Sequence, residues 1–91
     1  MWIKSEDGRL FNLEHFDTVE IISSKEGHQV IARVVGSERV IPLTDVKDND
    51  VEPRAVIKRI GTSIIDNDRI LDLERSFSTV KKHRFQERTT R

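Results

Sequence analysis

Histidine and carboxylate side chains are the usual raw material of catalytic and metal sites. In this chain their spacing supports neither. His15, His28 and His83 stand apart, and no two of them form the H-E-x-x-H arrangement that places two ligands on one helix face. The run Asp48-Asn49-Asp50-Val51-Glu52 opens like a calcium loop. The sixth position, which must be Gly for the sharp turn, is Pro53, and the twelfth, which must be a bidentate Glu, is Arg59. Asp66-Asn67-Asp68 fails sooner, because Ile70 falls where an oxygen ligand belongs. Both acidic runs read as helix punctuation.

Nucleophile and phosphate chemistry fare no better. The serines lie in turn-like stretches without a flanking elbow motif. Gly8, Gly27, Gly36 and Gly61 are isolated, so no glycine-rich phosphate cradle exists. No cofactor, no metal and no enzymatic activity are expected.

One cluster could bind rather than react. Lys81, Lys82, Arg84, Arg88 and Arg91 surround His83 and Phe85 near the C-terminal end. Such cations would contact phosphates in a salt-sensitive, sequence-blind way, and Phe85 could stack on a base. The charge division sharpens this contrast. Residues 1–75 hold 11 Lys/Arg against 15 Asp/Glu, whereas residues 76–91 hold five against one. An acidic body with a basic tail is unlike a basic nucleic-acid-binding domain. The tail is therefore read as solvated, with Lys81, Lys82, Arg84, Phe85 and Arg88 as the candidate contacts to nucleic acid or an acidic partner.

The elements that would position any site follow from local pattern. Ninety-one residues make one domain, near the lower limit for folding alone, and no cysteine is present to staple it. Trp2 to Glu6 predicts a strand. Asp7-Gly8 predicts a two-residue type I′ hairpin turn, and Arg9 to Leu13 the returning strand. Glu14 to Asp17 reads as a connection with Phe16 turned inward. Thr18 to Ser23, Gln29 to Val35 and Glu38 to Leu43 predict a β-meander. Ser23 to His28 forms its first loop, and Gly36-Ser37 a type II′ turn with Gly first. Pro42 suits a strand edge.

From Val51 the period becomes helical: Val56, Ile57, Ile60 and Ile64 share a stripe. A helix from Val51 to Ile65 is expected, with Asp50 as N-cap, Pro53 in the first turn and Glu52 favouring the dipole. Gly61 inside it costs roughly 1 kcal/mol relative to alanine. It marks either close packing on the sheet or an early end. Residues 69–77 fit two patterns. Ile70, Leu71 and Leu73 fit a short strand. Ile70, Leu73, Phe77 and Val80 fit a second helix. The strand is preferred because the run is short and Ser76, Ser78 and Thr79 are indifferent helix formers. The expected fold is thus α+β: an antiparallel meander of about five strands, one packed helix and a short last strand. The domain spans residues 1–77, and residues 78–91 form a disordered basic tail.

Several strands are apolar on both faces, as at Ile21-Ile22, Val30-Ile31 and Val40-Ile41. An antiparallel sheet with one wet face alternates more cleanly, and one helix cannot cover both faces. A patch of several hundred Å² at roughly 25 cal/mol per Å² drives association by several kcal/mol. A homo-oligomer is expected, most simply a twofold dimer, with Ile31, Val35, Val40 and Ile41 at the interface and an edge at Val40 to Leu43 open to a partner strand.

The layout Trp2-Ile3, then Asp7-Gly8-Arg9-Leu10-Phe11-Asn12-Leu13, then Val19-Glu20-Ile21 resembles small uncharacterised bacterial and phage proteins. These open with an apolar strand, a glycine turn, an apolar-Asn-Leu segment and a meander before one helix. It is also similar to the small flagellar FlbD-type proteins and to part of a pleckstrin-homology-like barrel. The resemblance covers residues 1 to about 65 and leaves the tail without a counterpart. It implies a binding or regulatory module with no active-site residues to carry over. The expected function is a non-enzymatic protein-interaction or assembly module that self-associates through its sheet. The alternative is a nucleic-acid-binding accessory protein using its tail. No run is apolar enough to span a membrane, no signal-peptide pattern opens the chain, and a soluble, cytoplasmic protein is expected.

Overall fold

The computed structural model describes residues 1–74. The proposed tail, its contacts Lys81, Lys82, Arg84, Phe85 and Arg88, and the domain end at residue 77 lie outside the described residues. Six strands and one α-helix form an α+β domain: β1 (Trp2–Lys4), β2 (Leu10–Asn12), β3 (Phe16–Ser24), β4 (Gly27–Val34), β5 (Val40–Pro42), α1 (Val51–Ile65) and β6 (Ile70–Asp72). No helix among the described residues is long and apolar enough to cross a membrane.

The meander does not run unbroken through five strands. It divides into two three-stranded sheets, ordered β2-β1-β6 and β3-β4-β5. The break falls at a 3₁₀ turn, Leu13–His15, where the Asn12 side-chain oxygen accepts from the Glu14 amide. That turn redirects the chain before β3 can pair with β2. Of the segment with two readings, Ile70–Asp72 forms a strand, β6, which pairs parallel with β1 in the register Ile3 to Leu71; Leu73 and Glu74 are no longer strand, and residues 75–77 lie outside the described residues. The crossover that a parallel pair requires contains α1.

Three turns differ from their expected types. At the first hairpin Gly8 donates to the Ser5 carbonyl and Ser5 donates to the Arg9 carbonyl. Only Gly8 takes positive φ (91°), so this is a three-residue loop closed by a left-handed glycine rather than a type I′ turn. The β3–β4 loop shrinks to Lys25 and Glu26, because the ladder continues to Ser24 opposite Gly27. In the β4–β5 turn Ser37 donates to the Val34 carbonyl, which puts Gly36 (φ 71°) third in the turn instead of second.

α1 begins and ends where its periodicity predicts. Its N-terminus is capped differently. Asn49 Oδ1 accepts from the Val51 amide, while the Asp50 carboxylate turns to Arg54 at 2.6 Å. Charge attraction one turn away within the helix outcompetes the cap. The core collects Ile3 and Leu71 from one sheet, Val30, Ala32 and Ile41 from the other, and Val56 and Ile60 from α1, with Leu43 and Leu73. The inner faces of both sheets therefore share one core with the helix. The second sheet supplies cover that one helix could not.

Candidate functional site

The four interface candidates separate in three dimensions. Ile41 belongs to the main core. Ile31 sits on the outer face of β4 between Glu20 and Pro42. It is only 1% exposed. Val40 on the outer face and Val35 beyond the end of β4 are exposed. The structure does not bring the four to one surface. A bidentate Arg33–Glu20 pair, at 3.1 and 3.0 Å, makes the outer face beside Ile31 polar. The Arg33 hydrogen bonds hold the Glu20 carboxyl below its usual range.

The histidines and acidic runs also separate. His15 is exposed in the 3₁₀ turn, and His28 Nδ1 lies 2.7 Å from Ser23 Oγ across the β3–β4 hairpin. No group of three His, Asp or Glu among the described residues is placed to hold a metal ion.

Sheet edges provide a more specific surface. Two sheets have four edges, and β2, β5 and β6 are each three residues long. Pro42 further blunts β5, the edge singled out from sequence. β3 is nine residues long and contains neither Lys nor Pro, the residues that commonly guard an edge. Its single irregularity is a register shift at Asp17, between Phe16 and Thr18. An exposed edge of this length presents unpaired amides and carbonyls to an incoming strand.

Beside this edge lies a groove of about 340 Å³ between β3 and α1. Leu13, Phe16 and Val19 form one wall. Ile57, Ile60, Gly61 and Ile64 form the other, and Asp17 and Thr18 sit on the β3 lip. The β3 wall is apolar because β3 alternates, turning Val19 and Ile21 inward and Thr18, Glu20 and Ile22 outward. The helical wall follows from the i, i+3, i+4 spacing of its isoleucines. A second concavity of about 260 Å³ lies between β2 and the β4–β5 hairpin, lined by Trp2, Leu10, Phe11, Phe16 and Ile41 with His15 and Arg39 among them.

Sequence reasoning named the edge at β5 and missed the one at β3. The length of the β-branched run from Phe16 was legible. That this strand ends a sheet was not, because pairing with β2 was the natural expectation.

Among the described residues the arrangement is an α+β domain in which the nine-residue β3 ends a sheet beside an apolar groove. The chain matches no protein-family model, no curated protein and no solved structure.

Proposed function

We propose that this protein is a non-enzymatic assembly module that self-associates through the free edge of β3. The observation that carries this reading is the contrast among the edges: three short strands and one open strand of nine residues. Joining two β3 edges about a twofold axis satisfies the backbone groups of both copies and shields the adjoining groove. The binding-module role implied by the resemblance to FlbD-type proteins is compatible with it.

The nucleic-acid reading rests on residues 76–91 alone. Residues 1–74 hold 10 Lys/Arg and 15 Asp/Glu, a balance of −5, which would repel a phosphate backbone.

Light scattering after size exclusion, over a hundredfold range of concentration, tests the proposal. A mass that rises toward twice that of one chain is expected. A monomer throughout overturns it.

A further inference from the structure

Gly61 is the residue in α1 that the isolated chain does not explain. Glycine within a helix costs roughly 1 kcal/mol relative to alanine. Two local reasons would justify it, an early helix end or a close approach to the sheet. The helix continues to Ile65, so it does not end there. A Cβ built on Gly61 meets nothing within 4 Å among the described residues, so the sheet does not crowd it. The space lies on the wall of the β3–α1 groove.

The residues around it are arranged for a neighbouring helix. Lys58, Gly61 and Ile65 follow one another at i, i+3 and i+7, a single stripe on the helix surface. Ile64, which lines the groove, is 54% exposed, and Ile65 beside it in the chain is 85% exposed. A concave wall and a convex apolar end thus lie side by side on the same element, as a self-complementary twofold contact requires. The charges agree. Lys58 is exposed on α1 three residues before Gly61, Asp17 lines the strand side of the groove, and neither has an ion pair among the described residues.

We infer that the occupant is α1 of a second copy, crossing its counterpart at Gly61, with Ile64 and Ile65 of each copy covering the other's groove and Lys58 of each facing Asp17 of the other. This inference rests on the self-association reading and adds to it where the helices meet. Strands in one sheet lie about 4.8 Å apart, and α1 packs over β3 and β4. Joining two β3 edges about a twofold axis therefore brings the two α1 helices antiparallel at roughly the 8–10 Å at which helices pack. The missing side chain at position 61 is what permits that approach.

The test is sedimentation equilibrium of the full chain over a hundredfold range of concentration, with thermal unfolding of each variant followed in parallel. Gly61→Leu separates close approach from mere stickiness by sign. A close helix crossing is blocked, and the dimer Kd rises about tenfold or more while the helical circular dichroism is retained. Strengthened or unchanged association by Gly61→Leu overturns the crossing at Gly61 and leaves self-association standing. Lys58→Glu and Asp17→Lys should each weaken the dimer, and the double variant should recover much of the loss. Equal weakening without recovery overturns the Lys58–Asp17 contact. A wild-type chain that stays monomeric overturns both the self-association reading and this one.

Discussion

Both carboxylate oxygens of Glu6 lie within 2.9 and 2.8 Å of the Lys47 ammonium, although 41 residues separate the two. Glu52, in the first turn of α1, approaches the same ammonium at 2.8 Å. Glu6 also accepts from the Asp45 amide at 2.7 Å. One nearly buried cation thus ties the β1–β2 hairpin, the chain before α1 and the start of the helix together. The backbone of Lys47 adds a bridge to His28, at 2.8 and 2.7 Å, which anchors the same stretch to β4.

Removing that cation should be expensive. The side chains of Lys47 and Glu6 are only 10% and 7% exposed. Lys47→Met keeps the aliphatic stem and removes the ammonium that Glu6 and Glu52 share. Breaking a buried pair from one side costs about 3 kcal/mol or more, a large part of the total stability of a small domain. Urea unfolding should show this loss as a lower midpoint with an unchanged slope. A loss below about 1 kcal/mol, the worth of an exposed pair, would mean that water reaches the cluster.

The same cluster should contribute to stability on the alkaline side. Burial by itself would lower the Lys47 value, but hydrogen bonds and charge from Glu52 and Glu6 outweigh it and hold the ammonium above the ordinary lysine range. The folded chain therefore binds this proton more tightly than the unfolded chain. Its stabilisation is complete below the unfolded lysine value of about 10.4 and is lost as pH rises through the raised folded value. Unfolding midpoints should fall along that limb for the wild type and fall less steeply for Lys47→Met. At the acid end the sign reverses for Asp7, lowered chiefly by its hydrogen bond from Ser5. Its contribution is present above the ordinary carboxylate value and disappears as pH falls through the lowered one, and exposure keeps it small.

Two glycines should respond oppositely to the same substitution. Gly27 has φ 139°, and a Cβ there would lie 2.3 Å from the Lys47 carbonyl oxygen. Gly27→Ala should therefore destabilise by about 1–3 kcal/mol through backbone strain and loss of the His28–Lys47 bridge. Gly61→Ala meets nothing within 4 Å among the described residues and gains helix propensity. It should stabilise the single chain by roughly 0.5–1 kcal/mol. Thermal unfolding at a concentration where the chain is monomeric checks both. Equal signs would refute the difference in their surroundings.

Ser63 lies fully buried in α1, and its hydroxyl has no hydrogen-bond partner among the described residues. Leaving such a group unpaired costs about 1–3 kcal/mol. Ser63→Ala removes the group, keeps most of the volume and favours the helix, so it should stabilise by about 1 kcal/mol. A destabilised variant would show that the hydroxyl is hydrogen-bonded in solution.

Legibility in the sequence followed the range of the interactions. The helical stripe of Val56, Ile57, Ile60 and Ile64 placed α1 from Val51 to Ile65, because an amphipathic period is written within four residues. At Ile70-Leu71-Asp72 the spacing fitted both a strand and a helix, with the strand preferred for its shortness, and its partner was not legible at all. The parallel pairing with β1 joins residues almost a whole chain apart. The candidate site was half legible. β3 was marked by its β-branched run, while its position at an edge depended on a 3₁₀ turn that stopped it pairing with β2.

By itself, then, the sequence determined the local elements, the α+β class and the presence of apolar residues on both faces of several strands. Each is set by side-chain type and spacing within a few residues. Only the tertiary structure decided that the strands divide into two sheets facing one core, that Ile31 and Ile41 are buried while Val40 is not, that Lys47 meets Glu6 and Glu52, and that the space beside Gly61 is open. Alternation along a strand shows that its two faces differ. What covers each face depends on which distant segments arrive there, and that choice is made by the packing of the whole chain.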